Sequence, residues 1–206
     1  MNTHDSSPPS RHKALQPATG DALILVDVQV DFLPGGALGV PEAEGLIETL
    51  NGYIARFRAA GLPIVATRDW HPSDHCSFAA QGGPWPVHCV RDSAGARFAN
   101  DLRLPDDAIV IDKATSQDRD AYSGFQQTDL ATMLRARDVR RVFVAGLATD
   151  YCVIATVRDA LESGFEVVLL EDGIRAVNVQ AGDGERAIED MHQRGAQGLC
   201  LKDLAA

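Results

Sequence analysis

Val142-Phe143-Val144-Ala145-Gly146-Leu147-Ala148-Thr149-Asp150-Tyr151-Cys152 is the stretch on which the reading of the fold turns. Four apolar residues make a strand covered on both faces, and Gly146 opens a tight turn. Val153 to Leu161 then carries apolar residues at helical spacing. Cys152 falls in the first turn of that helix, where backbone N–H groups are unpaired and carry partial positive charge. A thiol placed there loses its proton more easily and gains nucleophilicity. The alternative is that Cys152 is a small buried apolar residue, the commoner fate of a free cysteine.

Working outward, the same strand-then-helix pattern recurs. Ala22 to Val26, Ile64 to Thr67, Ile109 to Ile111, Glu166 to Leu170 and Gly198 to Leu201 read as further strands. Helices are expected from Pro41 to Gly61, over Leu130 to Arg137 and over Ala181 to Arg194. This alternation predicts a three-layer α/β/α domain over residues 21–206, with a mostly parallel, doubly wound sheet of roughly six strands. Residues 1–20, rich in Ser, Pro, His and Thr, read as a disordered tail, with His4 and His12 as bystanders. The segment from Asp69 to about Pro105 lacks any hydrophobic period, and irregular segments of that length are usually functional.

Composition narrows the function classes. Of 206 residues, 29 are acidic and 19 are Lys or Arg, a formal charge of −10. That balance argues against nucleic acid or an anionic membrane as the main partner. No run approaches the roughly 18 apolar residues that span a bilayer. The N-terminus also lacks the apolar core of a secretory signal. Four cysteines without a CxxC pair point to reduced thiols and a cytoplasmic location. Neither GxGxxG nor GxxxxGK[ST] occurs, so no nucleotide cofactor is expected.

In a parallel sheet the C-terminal strand ends share one edge, where open α/β folds bind ligands. Asp27, Lys113 and the turn before Cys152 all fall there, offering a base, a cation and a nucleophile, a set suited to acyl transfer. Singly, Asp27 could be a turn former and Lys113 a solvated surface residue. A second constellation lies in the irregular segment. Asp69, His71 and His88 offer O and N ligands for a divalent ion with open positions. A closed structural zinc site of His75, Cys76, His88 and Cys89 competes with it, although adjacent His-Cys pairs do not match the separated ligand pairs of zinc modules.

Six segments in order complete the reading: Val26-Asp27-Val28-Gln29-Val30-Asp31-Phe32, Arg68-Asp69-Trp70-His71-Pro72, Trp85-Pro86-Val87-His88-Cys89, Lys113-Ala114-Thr115, Ala121-Tyr122-Ser123-Gly124-Phe125 and Gly146 through Cys152. In these the chain resembles the nicotinamidases, or pyrazinamidases, of the isochorismatase-like cysteine hydrolases, from about Asp21 to Leu201. The resemblance implies Cys152 as nucleophile, Asp27 as general base and acid, and Lys113 as their cationic partner. It implies Asp69, His71 and His88 as ligands of one divalent metal, zinc first and iron or manganese as alternatives, with His75 a candidate fourth ligand. It further implies a cis peptide before Ala148 and an oxyanion hole from the N–H groups of Ala148 and Cys152. Phe32, Trp85 and Tyr122 would line the pocket for a flat ring. The activity implied is hydrolysis of nicotinamide to nicotinate and ammonia through a Cys thioester, in NAD salvage, with pyrazinamide as a related substrate. Monomer and homo-oligomer are both left open. Two rivals stand beside this reading: an amidohydrolase of the same fold acting on a carbamoyl or aliphatic amide, and a non-catalytic binding protein.

Overall fold

The computed structural model describes residues 15–204. Most of the tail expected over residues 1–20, His4 and His12 included, lies outside them. Within the described part, Leu15 bridges Leu204 in parallel and packs against the core.

Six strands form one sheet: β1 (Asp21–Val26), β2 (Ile64–Asp69), β3 (Ile109–Lys113), β4 (Arg141–Leu147), β5 (Glu166–Arg175) and β6 (Gln197–Leu199). Their order is β3-β2-β1-β4-β5-β6, and every pairing is parallel. β1 lies at the centre and all six of its residues are buried. Alternation then sends Leu23 and Leu25 into one apolar layer and Ala22, Ile24 and Val26 into the other. Covering a Leu, Ile or Val side chain this way contributes about 1.5–3 kcal/mol each.

The first layer is closed by α1 (Leu46–Ala59), which buries Leu46, Ile47, Leu50, Tyr53, Ile54 and Phe57 at helical spacing. Phe57 meets Phe143 of β4 edge-on, with ring centroids 5.1 Å apart. The helix begins later than Pro41, because its entry winds first as a 3-10 turn, Ala43–Gly45, with no side-chain cap. It stops at Gly61, whose φ of +65° reverses the chain while Leu62 N–H bonds back to the Phe57 carbonyl. The second layer is closed by α2 (Leu130–Arg135), α3 (Ile154–Glu162) and α4 (Asp183–Gln193). No helix among the described residues is long and apolar enough to cross a membrane.

Between β1 and β4 the direction of winding reverses, which opens a crevice beyond their C-terminal ends. Gly146 lies there beside Val26, at a φ of +121°. A Cβ on Gly146 would fall 2.1 Å from the Val26 carbonyl oxygen, so only glycine lets the strands close at this point. The segment between β2 and β3 holds one 3-10 turn, Ala79–Gln81, and isolated bridges that tie Gln29 to Phe98 and His71 to Val90.

Candidate active site

β2 and β3 run past the lengths expected from their apolar cores, and their last residues, Asp69 and Lys113, are register partners. In a parallel pair such neighbours point the same way, which brings carboxylate and ammonium together. Lys113 Nζ lies 2.5 Å from Asp69 Oδ1 and 3.0 Å from Asp27 Oδ2, at the end of β1. It also donates to the Ala121 carbonyl at 3.2 Å and reaches the Cys152 sulfur at 3.5 Å. All four side chains are buried. Asp27 holds a left-handed backbone, φ +49°, that Asp tolerates better than most residues. The Thr67 hydroxyl donates to its Oδ1 at 2.7 Å, while Oδ2 makes the ion pair with no well-angled hydrogen bond.

Cys152 sits in a turn of π-helix, Thr149–Val153, that precedes α3 rather than in the first turn of the α-helix itself. The Leu147–Ala148 peptide is cis. The Ala148 carbonyl accepts from Tyr151 and Val153 N–H groups and so starts this turn.

The electrostatics differ from the expectation for a thiol at a helix start. Burial pushes the Cys152 thiol well above its ordinary value, Lys113 opposes this, and Asp27 and Asp69 add to the rise. The thiol therefore keeps its proton at rest and needs a base in contact. Burial raises Asp27 to about 6, against the pull of Lys113 and with a push from Asp69. Burial alone would lower Lys113, but Asp27 and Asp69 reverse that and hold it charged. For Asp69, burial is outweighed by Lys113 and the neighbouring histidines, and its carboxyl stays below the usual range.

Beside this triad, ligand atoms of Asp69, His71 and His88 lie within 4.8 Å of one another, all on buried residues. His71 Nδ1 lies 3.2 Å from the Ala114 carbonyl and His88 Nδ1 2.8 Å from the Pro86 carbonyl. These bonds protonate Nδ1 and leave each Nε2 with its lone pair. His71 Nε2 is buried, has no hydrogen-bond partner and lies 3.7 Å from Asp69 Oδ2. An orphaned acceptor facing a carboxylate is a costly arrangement unless a cation joins them, so the donor set fits a divalent metal.

His75 is placed differently. Its ring stacks on His71 at 4.2 Å, but Nδ1 meets the Ser77 hydroxyl at 2.8 Å and Nε2 the Arg119 carbonyl at 3.2 Å. The set of His75, Cys76, His88 and Cys89 is not among the ligand groups that converge within the described residues.

Phe32, Trp85 and Tyr122 line a narrow pocket together with Cys152, Asp69 and His88. Trp85 Nε1 donates to the Tyr122 hydroxyl at 3.0 Å. Sequence reasoning missed several residues of the surroundings. Gln29 is wholly buried, accepts from Asp69 N–H and donates to the Asp69 and Ala96 carbonyls, fixing the backbone of the acid. Its signal was a polar residue between two carboxylates in Asp27 to Asp31. Thr67, the last residue before Arg68-Asp69, carried a similar hint. Tyr151, Leu38, Val40 and Val177 also line the pocket. The latter three come from loops that give no local sign of it.

Known proteins share this arrangement of chain. The Isochorismatase domain family matches residues 21–203. The Escherichia coli nicotinamidase is 39% identical over 203 residues, covering 88% of this chain and 95% of its own. Pyrazinamidase of Pyrococcus horikoshii, solved in complex with zinc, superposes with a TM-score of 0.85 at 52% identity, over 88% of this chain and 99% of its own. PnC1 from L. infantum, solved with nicotinate, superposes at 0.86 with 41% identity, over 93% of this chain and 100% of its own. The chain belongs to the isochorismatase-like hydrolases, in their nicotinamidase and pyrazinamidase branch.

Proposed function

We propose that this hydrolase converts nicotinamide to nicotinate and ammonia through a thioester on Cys152, with pyrazinamide as a second substrate. One observation carries the reading. The Cys152 thiol, in contact with a buried ammonium that also pairs with a carboxylate raised to about 6, lines an aromatic pocket together with Asp69 and His88, two of three residues whose ligand atoms converge. A nicotinate-bound relative and a zinc-bound relative support it.

Asp69, His71 and His88 hold the metal in this reading, with His75 outside the set. Bound there, a divalent ion would supply a Lewis-acid position for the ring nitrogen of the substrate. Zinc, iron and manganese all suit N and O ligands, with zinc first because of the zinc-bound relative. Phe32, Trp85 and Tyr122 sandwich the flat ring and present its carboxamide to Cys152.

Asp27 takes the thiol proton as sulfur attacks the carboxamide carbon. Lys113, beside both atoms, stabilises the negative charge wherever it resides. The N–H groups of Ala148 and Cys152 hold the tetrahedral oxyanion, and losing such a donor typically costs about 3 kcal/mol. Asp27 returns its proton to nitrogen, the C–N bond breaks and ammonia leaves. Asp27 then removes a proton from water, whose oxygen adds to the thioester. The C–S bond breaks, the proton returns to sulfur, and the product leaves as the carboxylic acid, which gives its remaining proton to the released ammonia or water and becomes nicotinate. Four free cysteines agree with work in a reducing cytoplasm as part of NAD salvage.

The test is ammonia release from nicotinamide before and after chelation. Metal-dependent release is expected. Release from carbamoyl or aliphatic amides alone, untouched by chelator, would favour another amidohydrolase, and no release from any amide a binding protein.

A further inference from the structure

Asp150 precedes Cys152 by two residues, and its carboxylate is engaged by the segment that follows β5. Its Oδ1 accepts the Val177 N–H at 2.9 Å and its Oδ2 the Asn178 N–H at 2.8 Å. Two consecutive backbone donors on one carboxylate make a charge-assisted, two-point attachment. It joins the turn carrying Cys152 to the segment between β5 and α4. Val177 is the residue of that segment that lines the pocket.

The far side of the attachment is anchored too. Asn178 adopts a left-handed φ of +54°, and its Oδ1 accepts the Gly184 N–H at 2.9 Å in the first turn of α4. A Cβ on Gly184 would lie 2.5 Å from the Ala176 side chain, so the helix start packs directly on the segment. The segment carrying Val177 is thus tied both to α4 and to Asp150.

We propose that Asp150 is a positioning residue that clamps Val177 as a fixed wall of the substrate pocket and thereby sets the fit of the aromatic ring. The inference rests on the amide-hydrolase reading above. Asp150 touches neither the reacting atoms nor the metal cluster, so its loss loosens the pocket while the Asp27, Lys113 and Cys152 contacts persist. The effect belongs in ring binding, hence in KM, and not in the chemical step.

The experiment compares Asp150→Ala, Asp150→Asn and Val177→Ala with wild type in nicotinamide kinetics, alongside amide hydrogen exchange of the 175–180 segment. Asp150→Ala is expected to raise KM about tenfold with kcat within threefold, and to speed exchange at Val177 and Asn178. Asp150→Asn keeps one acceptor oxygen and an equal volume, so it should fall between. Adding Val177→Ala to Asp150→Ala should raise KM by less than the product of the single effects, because both act through one wall. Unchanged KM with unchanged exchange would overturn the clamp. So would loss of kcat at constant KM, which would place the role of Asp150 in holding the Cys152 turn. A wild-type enzyme that releases no ammonia from nicotinamide would instead overturn the functional reading, and the exchange comparison would still decide whether the clamp exists.

Discussion

The imidazole of His75 lies nearly face to face with that of His71, 4.2 Å between ring centroids and 29° between planes, and yet it turns neither nitrogen to the metal cluster. Ser77 N–H also points at His75 Nδ1, at 3.3 Å, which makes Nδ1 the acceptor and Nε2 the donor to the Arg119 carbonyl. With Nδ1 engaged by Ser77 and Nε2 by Arg119, the ring packs against His71 and, in the proposed reading, stands outside the ligand set.

Metal content should follow that distinction. His71→Ala and Asp69→Ala are each expected to lose most of the bound ion in elemental analysis, together with activity. His75→Gln should keep the wild-type stoichiometry. Equal loss in all three would make His75 a fourth ligand.

Cys152→Ala should reduce turnover by about 10⁴-fold or more, since removing a covalent nucleophile leaves only binding and electrostatic stabilisation. Acid-quenched wild type under substrate should carry an acyl adduct on the peptide containing Cys152. An adduct elsewhere, or appreciable turnover by the alanine variant, would remove Cys152 from its role.

The pH dependence follows from Asp27. Only its ionised form accepts the thiol proton, and burial holds its carboxyl at about 6. The rate should therefore be full above that value and fall as pH drops through it and the carboxylate takes up a proton. A divalent ion beside Asp69 adds positive charge, which shifts the acid limb downward from 6. A limb displaced to well above 7 in a kcat profile would point to a different base.

Lys113→Met tests the ion pairs. Removing the ammonium leaves two buried carboxylates facing each other, and stranding such a charge typically costs 3–5 kcal/mol, about the same here. Denaturant titration at neutral pH should show that loss. Because protonation of one carboxylate relieves the repulsion, the deficit should shrink as pH falls. A variant as stable as wild type at pH 8 would show that the pairs add nothing to folding.

Gly146→Ala should be destabilised by roughly 3 kcal/mol, from the forbidden φ and the collision with the Val26 backbone together. For a chain of this length that is a fall of about 6–12 °C in Tm. Gly61, whose φ is also positive but where a Cβ meets nothing within 4 Å, should tolerate alanine better.

The strands and their order of use were legible because buried parallel strands are continuous apolar runs, β1 above all. Asp27, Lys113 and Cys152 could be grouped from sequence because a parallel sheet sends all its strand ends to one edge. What escaped was set by contacts between distant segments. β2 and β3 extend through charged residues because Asp69 and Lys113 satisfy one another, which no window around either could reveal. The bonds of Asp150 to Val177 and Asn178 join segments that meet only after folding. The upward push of burial on the Cys152 thiol also depends on packing, because a helix start read from sequence shows the N–H groups and not how deeply the sulfur is enclosed.

Lys113, buried with its two acids and the thiol, has a consequence for the energetics of turnover. In the proposed mechanism the proton that leaves sulfur travels only to Asp27, so this group of side chains would carry the same total charge before and after the thiolate forms. Charge is relocated over a few ångströms inside a fixed framework, and no ion crosses between protein and water. Little solvent has to reorient at that step, and the work of arranging the surrounding dipoles has been done once, during folding.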